Sequence, residues 1–218
     1  MKRIMYCLLL APLVLMMNSC LGASADIMMR ADGSGSVTLE YRVSQMLESL
    51  GRLDGNEGSP AIPVGKADFE RSIARIPGLR LSSFSAKEVR NAAGGKDLVT
   101  KVKLDFKDTA ALLAFLDSTG SRATIAREGG KNVLRLVLLD LVKDAIDTDL
   151  LSLLQEISAG YEISVSFTAP KNAALSVIPL SVPSVRIVQQ GKKVSFAIGT
   201  GELLGLKDGL TLYISWQN

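Results

Sequence analysis

Asp97-Leu98-Val99-Thr100-Lys101-Val102-Lys103-Leu104-Asp105-Phe106 is the stretch that decides the fold class. Leu98, Thr100, Val102, Leu104 and Phe106 fall on one face of a strand, and Lys101, Lys103 and Asp105 on the other. A clean dry-and-wet alternation is the mark of an antiparallel sheet with one face on a core and one in water. Residues 79–90 supply a second alternating run, and the Ala92 to Gly95 region between them is the turn of a hairpin. Helical spacing takes over on both sides. Before the hairpin, Phe69, Ile73 and Ile76 recur at helical intervals over residues 66–76, which Pro77-Gly78 ends. After it, Asp108 caps a helix running to Leu116 with Leu112, Phe115 and Leu116 on its buried stripe.

The same grammar continues outward. Residues 123–128 and 131–138 flank Gly129-Gly130 as another hairpin, and residues 148–159 carry leucines around more than half of a helix. Residues 66–159 thus read helix, hairpin, helix, hairpin, helix. From Gly160 onward the pattern is strand-like: Tyr161, Ile163, Val165 and Phe167 alternate, residues 185–188 and 194–198 flank a turn, and residues 210–216 close the chain. Residues 25–31 and 36–43 form a first hairpin around Asp32-Gly33-Ser34-Gly35, and Ser44 caps a short helix over residues 45–50. The expectation is an α+β fold: antiparallel β-hairpins with three or four helices packed on one side and an all-β C-terminal part. Residues 26–218 form one domain, with a subdivision into 26–159 and the β-rich 160–218.

The residues before this domain have a different composition. Lys2 and Arg3 give a basic start, residues 5–17 are almost wholly apolar, and Met17-Asn18-Ser19-Cys20 ends the run. This is the three-part layout of an export signal, residues 1–19. A small residue followed by Cys resembles the lipobox of bacterial lipoproteins, which implies lipidation of Cys20. Residues 20–25 then read as a short lipidated tether. The apolar run is shorter than the roughly 20 residues of a spanning helix.

Composition removes several chemistries. The chain has no histidine, so no Ser-His-Asp or Cys-His arrangement and no imidazole metal site can form. Its two cysteines are Cys7 and Cys20; with Cys7 in the discarded signal, no internal disulfide remains. The net charge of +3 falls to +1 once Lys2 and Arg3 leave, which is no footprint for nucleic acid.

Residues 51–65 form the conspicuous irregular stretch. Loops longer than about 12 to 15 residues are uncommon in compact domains and are often either functional or disordered. Arg52, Asp54, Asn56 and Glu57 concentrate polar groups there as a ligand or ion loop, and the hard oxygens of Asp54, Asn56 and Glu57 suit calcium. No firm metal set emerges, because the twelve-residue EF-hand spacing is incomplete. Asp54, Glu57 and Ser59 are the catalytic candidates of a histidine-free hydrolase. Residues 173–188, rich in Leu, Ile and Val but broken by Pro179 and Pro183, read as an apolar edge or loop and as the wall of a hydrophobic cleft. The glycines of residues 199–205 mimic a dinucleotide fingerprint with the wrong spacing.

Taken whole, the chain resembles the orphan membrane lipoproteins of spirochaetes, particularly treponemes. The resemblance rests on the relaxed box ending at Cys20, on Ala25-Asp26-Ile27 running to Asp32-Gly33-Ser34-Gly35, and on Ser49-Leu50-Gly51-Arg52-Leu53-Asp54-Gly55-Asn56-Glu57 with Pro63-Val64-Gly65 and Asp68-Phe69-Glu70-Arg71. It implies a lipid-anchored, periplasm-facing place on the cell or outer membrane and assigns no active site. The leading expectation is a membrane-anchored protein that binds a lipid or another hydrophobic ligand. The alternatives are a lipolytic hydrolase, calcium-assisted through the 51–65 loop, and a scaffold for envelope protein partners.

Overall fold

The computed structural model describes residues 21–44, 65–90, 94–117, 121–139, 148–158, 160–178, 182 and 184–217. They form an α+β fold of two sheets. In chain order the elements are β1 (Leu21–Met29), β2 (Gly35–Ser44), α1 (Lys66–Ile73), β3 (Leu79–Arg90), β4 (Lys96–Phe106), α2 (Thr109–Leu116), β5 (Ala123–Glu128), β6 (Lys131–Leu139), α3 (Thr148–Ile157), β7 (Glu162–Thr168), β8 (Ala173–Ile178), β9 (Arg186–Gln190), β10 (Lys193–Gly199), α4 (Thr200–Leu204) and β11 (Leu210–Trp216). One sheet has seven strands in the order β3-β4-β2-β1-β7-β10-β9, the other four in the order β5-β6-β11-β8.

From Thr100 onward the decisive stretch behaves as its alternation predicts, whereas at its start Asp97 and Val99, on the opposite face, are buried as well. Val102, Leu104 and Phe106 of β4 are buried while Lys101 and Lys103 are exposed. The hairpin turns also follow their residues. Gly129 and Gly130 both take positive φ, 55° and 79°, the pair of values a two-residue primed turn needs. Between β1 and β2, Asp32 Oδ1 accepts from the Ser34 amide at 3.0 Å and its hydroxyl at 2.7 Å, so the side chain holds the turn. Asp108 accepts from the Ala111 amide at 2.9 Å and caps α2.

Tertiary context decides what local pattern does not. The two similar hairpins part company: β3-β4 enters the seven-stranded sheet and β5-β6 the four-stranded one. β7 joins β1 in parallel, Ala23 opposite Ile163, so β7, β10 and β9 complete the N-terminal sheet. β1 also begins at Leu21, earlier than the expected strand start at Ala25. Residues 21–25, read as a tether, lie within the ladder, Leu21 opposite Val43 and Ala25 opposite Leu39. Small residues carry no strand signal, yet a strand between two partners needs little propensity of its own.

The inner faces of the two sheets pack on each other. Ile27, Val37, Phe167 and Phe196 from one meet Leu134, Leu212, Ile214 and Trp216 from the other, and the rings of Phe167 and Trp216 lie 4.9 Å apart between centroids. α2 inserts Ala111 and Leu112 into this core. α1 covers a smaller cluster with Phe69 and Ile73 over Tyr41, Val102 and Leu104.

Residues 173–188 divide between the sheets. β8 is an edge strand of the four-stranded sheet and β9 an edge strand of the seven-stranded one, the position that flanking prolines allow. Leu175 and Val177 enter the core, while Ile178, Ile187 and Val188 stay exposed. The two edges are joined where Gln189 Nε2 donates to the Leu175 carbonyl at 3.1 Å. The β-rich C-terminal part carries one five-residue helix, α4.

Candidate functional site

The sequence-derived candidates Cys20, Arg52, Asp54, Asn56, Glu57 and Ser59 lie outside the described residues. So does the calcium expectation that rests on three of them. Among the described residues no helix is long and apolar enough to cross a membrane.

What the structure does assemble lies at the end of the seven-stranded sheet where β1 begins. α3 stops at Ile157, the Ser158 amide still bonding Leu154 O at 2.9 Å. Gly160, with φ of 87°, lets the chain reverse into β7. Tyr161 then bonds on both sides of its peptide: its amide donates to Ser158 O at 3.0 Å, and its carbonyl accepts from the Thr200 amide at 2.9 Å. That second bond fixes the junction of β10 and α4 against the start of β7.

Tyr161 reaches across the strand ends. Its hydroxyl donates to Asp97 Oδ1 at 3.0 Å, at the beginning of β4. The ring passes over Gly22 of β1, where an added Cβ would come within 3.3 Å of it. Glu162, first residue of β7, pairs with Arg186 of β9. Between them on β10 stand Gly199, opposite Glu162, and Ala197, opposite Arg186, residues small enough to let the ion pair form across them.

The helices close the other side. Gln155 of α3 donates to Gly201 O of α4 at 3.3 Å. Glu202 accepts from the Gly199 amide at 3.3 Å, the reach-back half of a capping box. Gly201 sits where a Cβ would meet Gln155 O at 3.2 Å, so α3 and α4 approach closely.

These elements surround an open depression of about 570 Å³, walled by Gln155, Ser158, Tyr161, Glu162 and Glu202 with Gly160, Gly199 and Gly201. Among the described residues, no aliphatic side chain lines it. Ser158 stands out, because its hydroxyl is buried with no hydrogen-bond partner among the described residues. An unpaired buried hydroxyl costs about 1–3 kcal/mol, and a side-chain rotation that brings it to a ligand hydroxyl in the depression would supply the partner. The arrangement suits recognition through several hydrogen bonds. Among the described residues, no group of three or more His, Cys, Asp or Glu side chains comes together to hold a metal ion.

Sequence reasoning singles out the glycines near Gly199 but not this site. Ser158, Tyr161 and Glu162 form no local motif; the Tyr161–Thr200 backbone bond, the Glu162–Gly199 pairing and the Gln155–Gly201 bond bring them alongside Glu202. Ser85 and Lys87, two residues apart in the sequence, are both exposed on β3.

No protein-family model matches the chain, and no curated protein matches it by sequence. Among solved structures it is similar to the folded domain of the Mycobacterium tuberculosis LppM protein, determined by NMR. The two share 12% identity over 92% of each chain, with a TM-score of 0.44. Superposition this loose transfers neither ligand nor activity.

Proposed function

We propose that the chain is a lipid-anchored envelope protein, akin to the spirochaetal lipoproteins it resembles, whose domain works at the bilayer surface and binds a lipid or other amphiphile there. The observation that carries this reading is the start of β1. Leu21 is already paired with Val43, one residue after the cysteine that the N-terminal pattern marks for acylation. With consecutive Cα atoms 3.8 Å apart, a lipid on Cys20 holds the sheet end, with its Tyr161 depression, at the headgroup layer. Acyl chains contribute about 0.8 kcal/mol per buried methylene, so two or more anchor stably.

The hydrolase and scaffold readings depend on residues 51–65 or on partners, and no observation on the described residues favours them. The anchor is tested by growing cells with labelled palmitate and comparing the wild-type protein with Cys20→Ala. Label on the wild type alone, together with loss of Cys20→Ala from the membrane fraction, supports the reading. An unlabelled wild type overturns it. Mass spectrometry of lipids extracted from the purified full chain then tests whether an amphiphile is bound.

A further inference from the structure

The depression between β7, β10, α3 and α4 carries more hydrogen-bonding capacity than the fold uses. Among the described residues no Lys or Arg lines it; Arg186 arrives only as the partner of Glu162. An anion would therefore meet two carboxylates and no facing cation. A cation would find one carboxylate already paired and the other bonded to the Gly199 amide. Carboxylates so engaged still have free lone pairs, which suit the hydroxyl groups of an uncharged ligand. Gln155 uses one amide hydrogen on Gly201 O and keeps its side-chain oxygen. Ser158 supplies a buried hydroxyl without a partner among the described residues. The volume of about 570 Å³ lies within the range of small-ligand sites, roughly 300–1,000 Å³.

We propose that this depression binds a neutral, hydroxyl-rich group, a sugar ring or polyol, with Glu162 and Glu202 accepting from its hydroxyls and Ser158 and Gln155 bonding others. The same chemistry can arrive on a soluble glycan or as the headgroup of a membrane glycolipid. Only the second source rests on the anchored reading above.

The experiment uses the full-length protein. Saturation-transfer NMR in detergent micelles probes methyl glucoside, methyl galactoside, N-acetylglucosamine and glycerol. In parallel, protein reconstituted into phosphatidylcholine vesicles, with and without digalactosyl diacylglycerol, is read by hydrogen exchange at the amides of residues 160–162 and 199–202. Saturation transfer alone identifies a soluble glycan, and protection alone a headgroup; either supports the site. Ser158→Ala and Glu202→Gln should each weaken binding about tenfold. Ser158→Ala should leave the unfolding midpoint unchanged or higher, since it removes an unpaired hydroxyl, which a merely structural role would not combine with lost binding. No signal in either arm, or binding undiminished by both substitutions, overturns the proposal. A failure of Cys20 to take label leaves the free-sugar arm intact, so the two readings fail separately.

Discussion

The phenol of Tyr161 bonds Asp97 Oδ1 at 3.0 Å across the ends of β1 and β2, linking the start of β7 to the start of β4, 64 residues away in sequence. Asp97 is 3% exposed, so its carboxylate depends on protein donors in place of water. Tyr161→Phe keeps the ring over Gly22 and removes the donor. Hydrogen bonds to charged groups contribute about 1.5–3 kcal/mol, and Asp97 has a further interaction, so we expect a loss of about 2 kcal/mol in urea unfolding. An unchanged midpoint would show that the bond does not stabilise the sheet end.

Gly35 is demanded by packing, not by turn conformation. A Cβ there would stand 2.0 Å from the Met28 carbonyl oxygen and 2.4 Å from the Phe106 ring, with backbone as one of the two obstacles. Gly35→Ala should cost about 3 kcal/mol or more, at the upper end of overpacking penalties, with Gly94→Ala as the contrast. Gly94 has open space around it but a φ of 83°, so its cost is conformational strain of about 1–2 kcal/mol. Circular dichroism melts of both variants decide whether the order holds.

The hairpins are legible because each strand carries its own alternation and each turn its own glycines, as at Gly129-Gly130. Their distribution between two sheets is not, since the Ala23–Ile163 register joins residues about 140 apart and leaves no trace in either segment. β8 is legible only as an apolar edge or loop, for a related reason: Leu175 and Val177 make only two inward positions before Pro179, and β11 alone provides its ladder. Gly22 to Ala25 are small and read as a tether, although Ala23 to Ala25 sit between β2 and β7. The depression is the extreme case. Its glycines are visible at 199 and 201, but its chemistry comes from Gln155, Ser158 and Tyr161, which a helix end and a reversal at Gly160 bring alongside.

In the β1–β2 turn, the hydroxyl and then the amide of Ser34 hold the Asp32 carboxyl below its ordinary value. A depressed acid contributes stability that is present above its unfolded pKa of about 3.9 and lost as pH falls through the folded value. Ser34→Ala removes the leading cause, so Asp32 should titrate higher in an NMR pH series. Lys96 runs the opposite way: its bond to Glu88 raises it, and that contribution, full below about pH 10.4, is lost as pH rises through the folded value. Glu88→Gln should bring Lys96 down while leaving Asp32 unmoved. Both groups are exposed, so the measurable effect is on titration.

Trp216 is the chain's one tryptophan and is 2% exposed, against Phe167, so its fluorescence reports directly on the contact between the sheets. The native protein should emit at short wavelength and shift red in one step as the sheets part. Its indole N–H has no hydrogen-bond partner among the described residues, which gives the two aromatic truncations different expected costs. Phe167→Ala removes a fully buried ring and leaves a cavity, a loss of about 3–5 kcal/mol. Trp216→Phe also loses volume, yet it removes an unpaired donor whose burial costs about 1–3 kcal/mol. The second variant should therefore lose clearly less than the first in chemical denaturation followed by circular dichroism. Equal losses would mean that the indole nitrogen is satisfied in solution.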